Sequence, residues 1–333
     1  MATLNRICVP LSLDCNLQCK YCYRNHDTRI KIPDFSDKMI DYLGHLSPET
    51  TEAVIANGGE TLLHWDKVLE LFSYVPKNVH KKLMTNGVLL TQEIVNYINE
   101  NEIELAISHD GPKTKFLRGM DILEDSNIVK LLQQVNILRI MSITTGFNPD
   151  VWENFFDTAK KLKQYDFSYI PSQLLDCPEQ EYLVQNMDYN IWFTTWTQFI
   201  VSPYHRELIW YHNDTLKPNK FKKRINYKYG KRGQFNVLPN GTVCDMQKIT
   251  ANYGKIWDSL EDIYSAMLKN EDFSYCINCE YNNKCKYPIP CYSNHVYKIR
   301  TMSNHFFTDP EKRKETEIFV RNHIHDIEKK YLV

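Results

Sequence analysis

The chain of 333 residues lacks several features that would settle its class at once. It has no apolar run approaching the roughly 18 residues a membrane-spanning helix needs. Its first residues show no basic leader followed by an apolar stretch and a small-residue cleavage site, so a cytoplasmic location is expected. No internal repeat and no low-complexity segment is visible. Neither sign of charge is in excess. Forty Lys and Arg against 41 Asp and Glu leave a net charge of −1, which removes any global attraction to nucleic acid or to an acidic membrane. What is present is a hydrophobic content of 43%, 21 tyrosines and ten cysteines. The first suffices for a real core in one large domain or two. The tyrosines suit a packed interior or a substrate groove. Without a secretory signal, clustered cysteines point to metal or redox sites rather than to disulfides.

Three of the cysteines, Cys15, Cys19 and Cys22, stand in the spacing C-x3-C-x2-C directly after the apolar stretch Ile7 to Leu13. Iron–sulfur clusters are normally held by four cysteines. Three thiolates this close can hold three irons of a cubane and leave the fourth open for chemistry. A chance pattern or a partial zinc site would share the spacing, so the rest of the chain has to decide. Gly58-Gly59-Glu60-Thr61 follows the strand-like run EAVIAN and precedes a helical pattern. Two glycines let backbone approach a ligand closely, and a glutamate can accept from an ammonium; an ordinary strand-to-helix turn would also read this way. Met84-Thr85-Asn86-Gly87 ends another strand-like run, and Ser108-His109-Asp110-Gly111-Pro112-Lys113 follows ELAI.

In this order these motifs resemble the radical S-adenosylmethionine (SAM) enzymes, and in particular members with SPASM or twitch domains that modify peptides and proteins, such as anaerobic sulfatase-maturing enzymes and ribosomal-peptide maturases. The resemblance implies a [4Fe-4S] cluster on Cys15, Cys19 and Cys22 whose open iron binds the amino and carboxylate groups of SAM. It implies that Gly58, Gly59, Glu60 and Thr61 meet the SAM amino group, and that Asn86, Ser108 and Asp110 line the cofactor, with Ser108 near the SAM carboxylate and Arg118 assisting. Tyr21 matches the aromatic position whose backbone meets the adenine; a packing tyrosine is equally compatible.

Residues 1–175 alternate strand-like and helical segments. The strands are ICVPLSL, EAVIAN, KKLMTN, IELAIS, ILRIMSITT and FSYIPSQLL, with helical patterns such as DKVLELFSYV, QEIVNYINEN and DVWENFFDTAKKLKQ between them. Such alternation implies a parallel sheet with helices outside. Six units fit the partial (β/α)6 TIM-like barrel of the resembled family, an α/β fold whose chemistry sits at the carboxyl ends of the strands. Residues 176–233 break the pattern. They begin with a Trp- and Phe-rich stretch, then carry eight Lys and Arg and no acid from Lys217 to Gly233. That basic segment reads either as a clamp for an acidic or phosphate-bearing partner or as a solvated loop.

Residues 234–333 open with a hairpin-like segment turning at Asn240-Gly241. They end in a helix from Pro310, with an apolar stripe of Val320, Ile324, Ile327 and Tyr331. Between lie Cys244 and the run Cys276, Cys279, Cys285, Cys291. This pattern resembles the C-terminal region of twitch and SPASM enzymes, with too few cysteines for two auxiliary clusters. One auxiliary [4Fe-4S] cluster is expected, on four of the five, with Cys244 and Cys291 competing for the last position. A structural zinc knot is the rival reading. Asp245, next to Cys244, matches a proposed catalytic base of sulfatase-maturing enzymes; a turn or capping aspartate is its plain alternative. Cys8 and Cys177 belong to neither cluster and read as buried thiols.

The expected function is reductive cleavage of SAM and hydrogen-atom abstraction from a peptide or protein residue, giving oxidation, crosslinking or epimerisation, with an electron donor such as flavodoxin or ferredoxin. Only 14 residues precede Cys15, so a separate N-terminal peptide-recognition domain is not expected. The competing readings are a radical SAM dehydrogenase of a small polar metabolite, and a zinc- or cluster-containing protein whose basic segment binds RNA. The near-neutral net charge makes nucleic acid the weaker partner.

Overall fold

The computed structural model describes residues 4–22, 31–174, 178–205, 232–244, 250–270, 274–277, 279–281 and 293–332. Six strands alternate with helices along the first half of the chain: β1 (Leu4–Pro10), β2 (Thr51–Asn57), β3 (Lys81–Thr85), β4 (Glu104–Ser108), β5 (Leu138–Thr144) and β6 (Ser168–Gln173). Each pairs in parallel with its sequence neighbour, as crossover connections through helices require. The six strands foreseen from the sequence are the six observed.

The sheet has eight strands, in the order β6-β5-β4-β3-β2-β1-β7-β8. Strand β7 (Arg232–Val237) lies parallel on β1, and β8 (Val243–Cys244) turns back antiparallel on β7. The hairpin expected to open a separate C-terminal unit therefore extends the sheet of the N-terminal half. Gly241 (φ +82°) makes that turn, and a Cβ there would meet the Trp257 ring at 2.1 Å.

Burial follows the two-residue period of a strand. Ile7 and Val9 of β1, Leu11 just after it, and Leu138 and Ile140 of β5 join the large core under the helices, while Cys8, Ala53 and Ile55 form a small cluster on the other face. At the amino ends of the strands that other face is charged. Glu104 pairs with Lys82 (2.9 Å), His80 (3.0 Å) and Arg139, and Arg6 pairs with Glu52. A register shift between Asn5 and Arg6 turns Glu52 onto that face. The amino end is thus closed by ion pairs, and open space lies at the carboxyl end.

Helix α1 spans Asp37–Gly44, α2 Trp65–Tyr74, α3 Gln92–Glu100, α4 Thr114–Arg118, α5 Ser126–Leu132, α6 Val151–Leu162 and α7 Tyr189–Ile200. In α6 the Asp150 side chain caps the N–H groups of Trp152 and Glu153. Trp152, Phe155, Phe156, Ala159 and Leu162 bury one face of it. Helix α7 comes from the aromatic-rich segment. Its Trp192, Trp196 and Phe199 are fully buried, so that stretch is core rather than a substrate groove. After α8 (Leu260–Asn270) and the short α9 (Ser274–Ile277), α10 (Asn294–Thr308) packs on α7, where Phe306 and Phe307 meet Trp196. The last helix, α11 (Pro310–Leu332), lies on α6 and α7. It buries Val320 and rests Ile324, Ile327 and Tyr331 on the core, as its stripe predicted. No helix among the described residues is long and apolar enough to cross a membrane.

Candidate active site

The loop after β1 carries Cys15, Cys19 and Cys22 over the carboxyl ends of β1 to β5. Backbone bonds pin it against the glycine pair: Gly59 donates to the Ser12 carbonyl (2.7 Å) and Glu60 to the Asp14 carbonyl (2.6 Å). The approach is so close that a Cβ on Gly59 would sit 1.9 Å from the Asp14 oxygen, and one on Gly58 2.4 Å from the Ser12 oxygen. Gly58 also has φ +143°, a region that favours glycine. The sequence offered these glycines as room for a ligand. Here the close neighbour is the chain's own cysteine loop.

Glu60 is buried, with 1% of its surface exposed. One carboxylate oxygen accepts from Leu62 N–H (2.9 Å) and Thr85 Oγ1 (2.5 Å), the other from Asn86 N–H (2.8 Å). Burial raises its pKa, and these three donors pull in the opposite direction. The Asn86 amide donates to Asn16 Oδ1 at 2.7 Å in the cysteine loop. The thiols of Cys15 and Cys19 are pushed up, chiefly by burial, Cys19 to about 11.

These groups share one cavity of about 220 Å³. Its walls include Cys15, Cys19, Cys22, Tyr21, Gly58, Gly59, Glu60, Asn86 and Ser108, and also Arg118. Met84 and Thr85 of the motif at 84–87, together with Leu13, Asn57, Met141 and Ile143, complete it, and sequence reasoning had given none of these six a cofactor role. The signal for Met84, Met141 and Ile143 was the strand alternation, once the core face is known. A second, more open space of about 560 Å³ lies across the loop, with Cys15 as a shared wall and a His64–Asp14 contact of 3.0 Å.

Two expected cofactor residues stand outside the cavity wall. Thr61 is buried and donates to the Met84 carbonyl (2.6 Å), fixing the turn. Asp110 is fully buried, and its carboxylate is committed to protein donors: Tyr21 OH (2.6 Å), Arg118 Nε (2.7 Å), Arg118 Nη2 (3.2 Å) and Ile143 N–H (2.7 Å). Its role is to hold Tyr21 and Arg118 in place, with the guanidinium 5.1 Å from the Tyr21 ring centre. Burial by itself would lower the Arg118 pKa, but the Asp110 carboxylate beside it outweighs this and raises it. His109 turns to the helix side, between Thr158 Oγ1 (2.8 Å) and Asp121 (3.1 Å).

A model of the Radical SAM superfamily matches residues 9–168, the segment that builds this cavity. This half of the chain resembles the radical SAM superfamily. It is 24% identical over 188 residues to a serine-type anaerobic sulfatase-maturating enzyme of Bacteroides thetaiotaomicron, covering 49% of this chain and 44% of that one. The chain spans about half the length of the curated relatives it first matches, 44%, 62% and 60%. The solved structure of native anSMEcpe with bound AdoMet and Kp18Cys peptide superposes with a TM-score of 0.60 at 18% identity, covering 96% of this chain and 99% of that chain. Streptococcus suis SuiB bound to precursor peptide SuiA gives 0.58 at 15%, covering 89% and 76%. At such identities the match is one of fold.

The superfamily implies a [4Fe-4S] cluster and SAM, and the donor set on this chain suits both. Three thiols line one wall. Among the described residues no three His, Cys, Asp or Glu side chains converge as a single-ion site would demand. Across from the thiols stand a buried carboxylate and an amide. Of the C-terminal residues, Cys244 and Cys276 are buried and Cys279 is partly exposed. Asp245, Cys177, Cys285, Cys291 and residues 206–231, which include most of the basic segment, lie outside the described residues.

Proposed function

We propose that this chain binds SAM in the 220 Å³ cavity and uses it to abstract a hydrogen atom from a residue of a peptide or protein. The observation that carries the reading is the meeting of three thiols with Glu60, Asn86 and Ser108 in one cavity. Cys15, Cys19 and Cys22 would carry the cluster, which when bound and reduced supplies the cleavage of SAM that yields a 5′-deoxyadenosyl radical. Glu60 accepts from the SAM ammonium, in an anchored position that costs no reorganisation on binding. Ser108 and Arg118 face the carboxylate, and Tyr21 closes the site beside Cys22. Met84, Met141 and Ile143 make the floor apolar, which keeps water from the reacting atoms.

The peptide class is supported by likeness to relatives whose names and bound peptides point there. Residues 1–175 form the radical SAM unit in this reading, 176–233 a bridge, and 234–333 a region holding one auxiliary [4Fe-4S] cluster on four of Cys244, Cys276, Cys279, Cys285 and Cys291. Asp245 is the base that takes the substrate proton, and an external one-electron donor drives the cycle.

The test is 5′-deoxyadenosine formation by anaerobically reconstituted protein with dithionite. Wild type forms it, whereas Glu60→Ala and the Cys15/Cys19/Cys22→Ala variant do not. Undiminished product from either variant would overturn the reading.

A further inference from the structure

Three large aromatic side chains stand together on the outside of the cysteine loop. Phe116 of α4, Phe147 of the turn after β5, and Tyr182 are 43%, 41% and 40% exposed. Their rings are contiguous, at 4.9 Å from Phe116 to Phe147 and 6.4 Å from Phe147 to Tyr182. Side chains of this size are usually buried, and a contiguous exposed group of them marks an interaction surface. The Lys20 ammonium sits 4.6 Å from the centre of the Phe116 ring.

Its position says what it serves. Leu117 and Leu183, the chain neighbours of Phe116 and Tyr182, pack against Cys19 and Tyr21 in one small apolar cluster. Cys19 and Tyr21 line the cavity, and the two leucines do not. Lys20, between them in sequence, donates its N–H to the Leu117 carbonyl at 2.8 Å. The patch is therefore one residue removed from the Cys19 thiol, behind two leucines that do not line the cavity. A substrate must reach the SAM side of that wall. An electron has only to reach the thiol.

We infer that this patch is the docking surface for the protein that supplies the electron, a small acidic one-electron carrier with a flavin or iron–sulfur centre. The inference rests on the radical SAM reading above. One electron passes from the reduced carrier to the cluster on Cys15, Cys19 and Cys22; the carrier is oxidised by one and the cluster reduced by one. Charge selects the partner. Lys20 is exposed over the Phe116 ring and forms no salt bridge among the described residues; Lys113 is exposed three residues before Phe116 and also acts on Glu153, Lys115 is paired with Glu124 (2.8 Å), and Glu181 is the exposed acid beside Tyr182. Aromatic anchors with a basic rim suit an acidic partner, and the rim acts mainly on the rate of encounter.

The experiment uses reconstituted enzyme and a purified flavodoxin of net negative charge. Binding is measured at two salt concentrations, and deoxyadenosine formation is measured with reduced flavodoxin and separately with dithionite. Phe116→Ser/Phe147→Ser should weaken flavodoxin binding roughly tenfold or more, as loss of aromatic anchors does. Lys20→Glu, a fully surface change, should weaken it and flatten its salt dependence. Both should slow the flavodoxin-driven reaction while iron content and the dithionite-driven rate stay at wild-type values. Unchanged flavodoxin binding in the two variants, or no binding by wild type, overturns the inference, as does loss of peptide affinity with donor binding intact. Failure of wild type to cleave SAM with dithionite would instead sink the functional reading, whatever the binding data.

Discussion

Gly59→Ala is the substitution that asks most directly what the glycine pair is for. The added methyl would lie 1.9 Å from the Asp14 carbonyl oxygen, 2.6 Å from its carbon and 2.6 Å from the Leu13 oxygen. All three are backbone atoms, so no side chain can swing away. Ordinary contact needs about 3.4 Å or more between such atoms, and the Asp14 carbonyl must retreat by about 1.5 Å. That retreat breaks the bonds from Gly59 and Glu60 to Ser12 and Asp14, each worth about 1 kcal/mol net, and adds packing loss. We expect about 2–4 kcal/mol in denaturant unfolding of the metal-free protein. We also expect iron bound at the N-terminal site to fall steeply, because Cys15 is displaced with the loop. Gly119→Ala is the control. Its φ is +88° but nothing lies within 4 Å of the new methyl, so it should cost about 1 kcal/mol through the backbone alone and leave iron unchanged. If Gly59→Ala protein keeps both its stability and its iron, the loop is not held as described.

Iron should be about eight per reconstituted wild-type chain and about four in the Cys15/Cys19/Cys22→Ala variant, as two cubane clusters require; about four falling to none would remove the auxiliary cluster. SAM affinity should decline on the acid side at a pH above that of an ordinary carboxylate, because burial raises the Glu60 pKa and the protonated acid loses its attraction to an ammonium; titration calorimetry on Glu60→Gln should show a weaker and flatter profile. Glu104→Gln should destabilise the fold by about 3–5 kcal/mol, since it removes the buried carboxylate that Lys82 and Arg139 share. The folded pKa of Glu104 lies well below its unfolded value, so the wild-type contribution is complete above about pH 4 and fades on acidification below it. Chemical denaturation from pH 3 to 7 checks both statements. Trp196→Ala should cost about 3–5 kcal/mol in stability with peptide affinity of the folded protein unchanged; a selective loss of affinity would return α7 to the substrate groove.

Much of this molecule was legible in its sequence. The β/α alternation, the six strand cores and the stripe on the last helix depend on local periodicity, which a linear chain displays directly. So did the pairing of Cys15, Cys19 and Cys22 with Glu60, Asn86 and Ser108, because all of these fall at the ends of strands that run the same way. What local pattern does not contain is which groups face each other across sequence distance. Asp110 sits in a motif that suggests contact with a ligand, but 33 residues on, the Ile143 N–H claims its carboxylate along with Tyr21 and Arg118. The Gly58–Gly59 pair reads the same whether a ligand or a loop lies against it; only the packing of residues 12–14 distinguishes them. The aromatic run 182–201 could not declare itself core until α6, α10 and α11 closed around it. The hairpin from residue 232 could be read as a new unit until β7 paired with β1. Composition and period determined the elements. Long-range hydrogen bonding and close contact, which depend on distances the chain does not encode locally, decided what each motif touches.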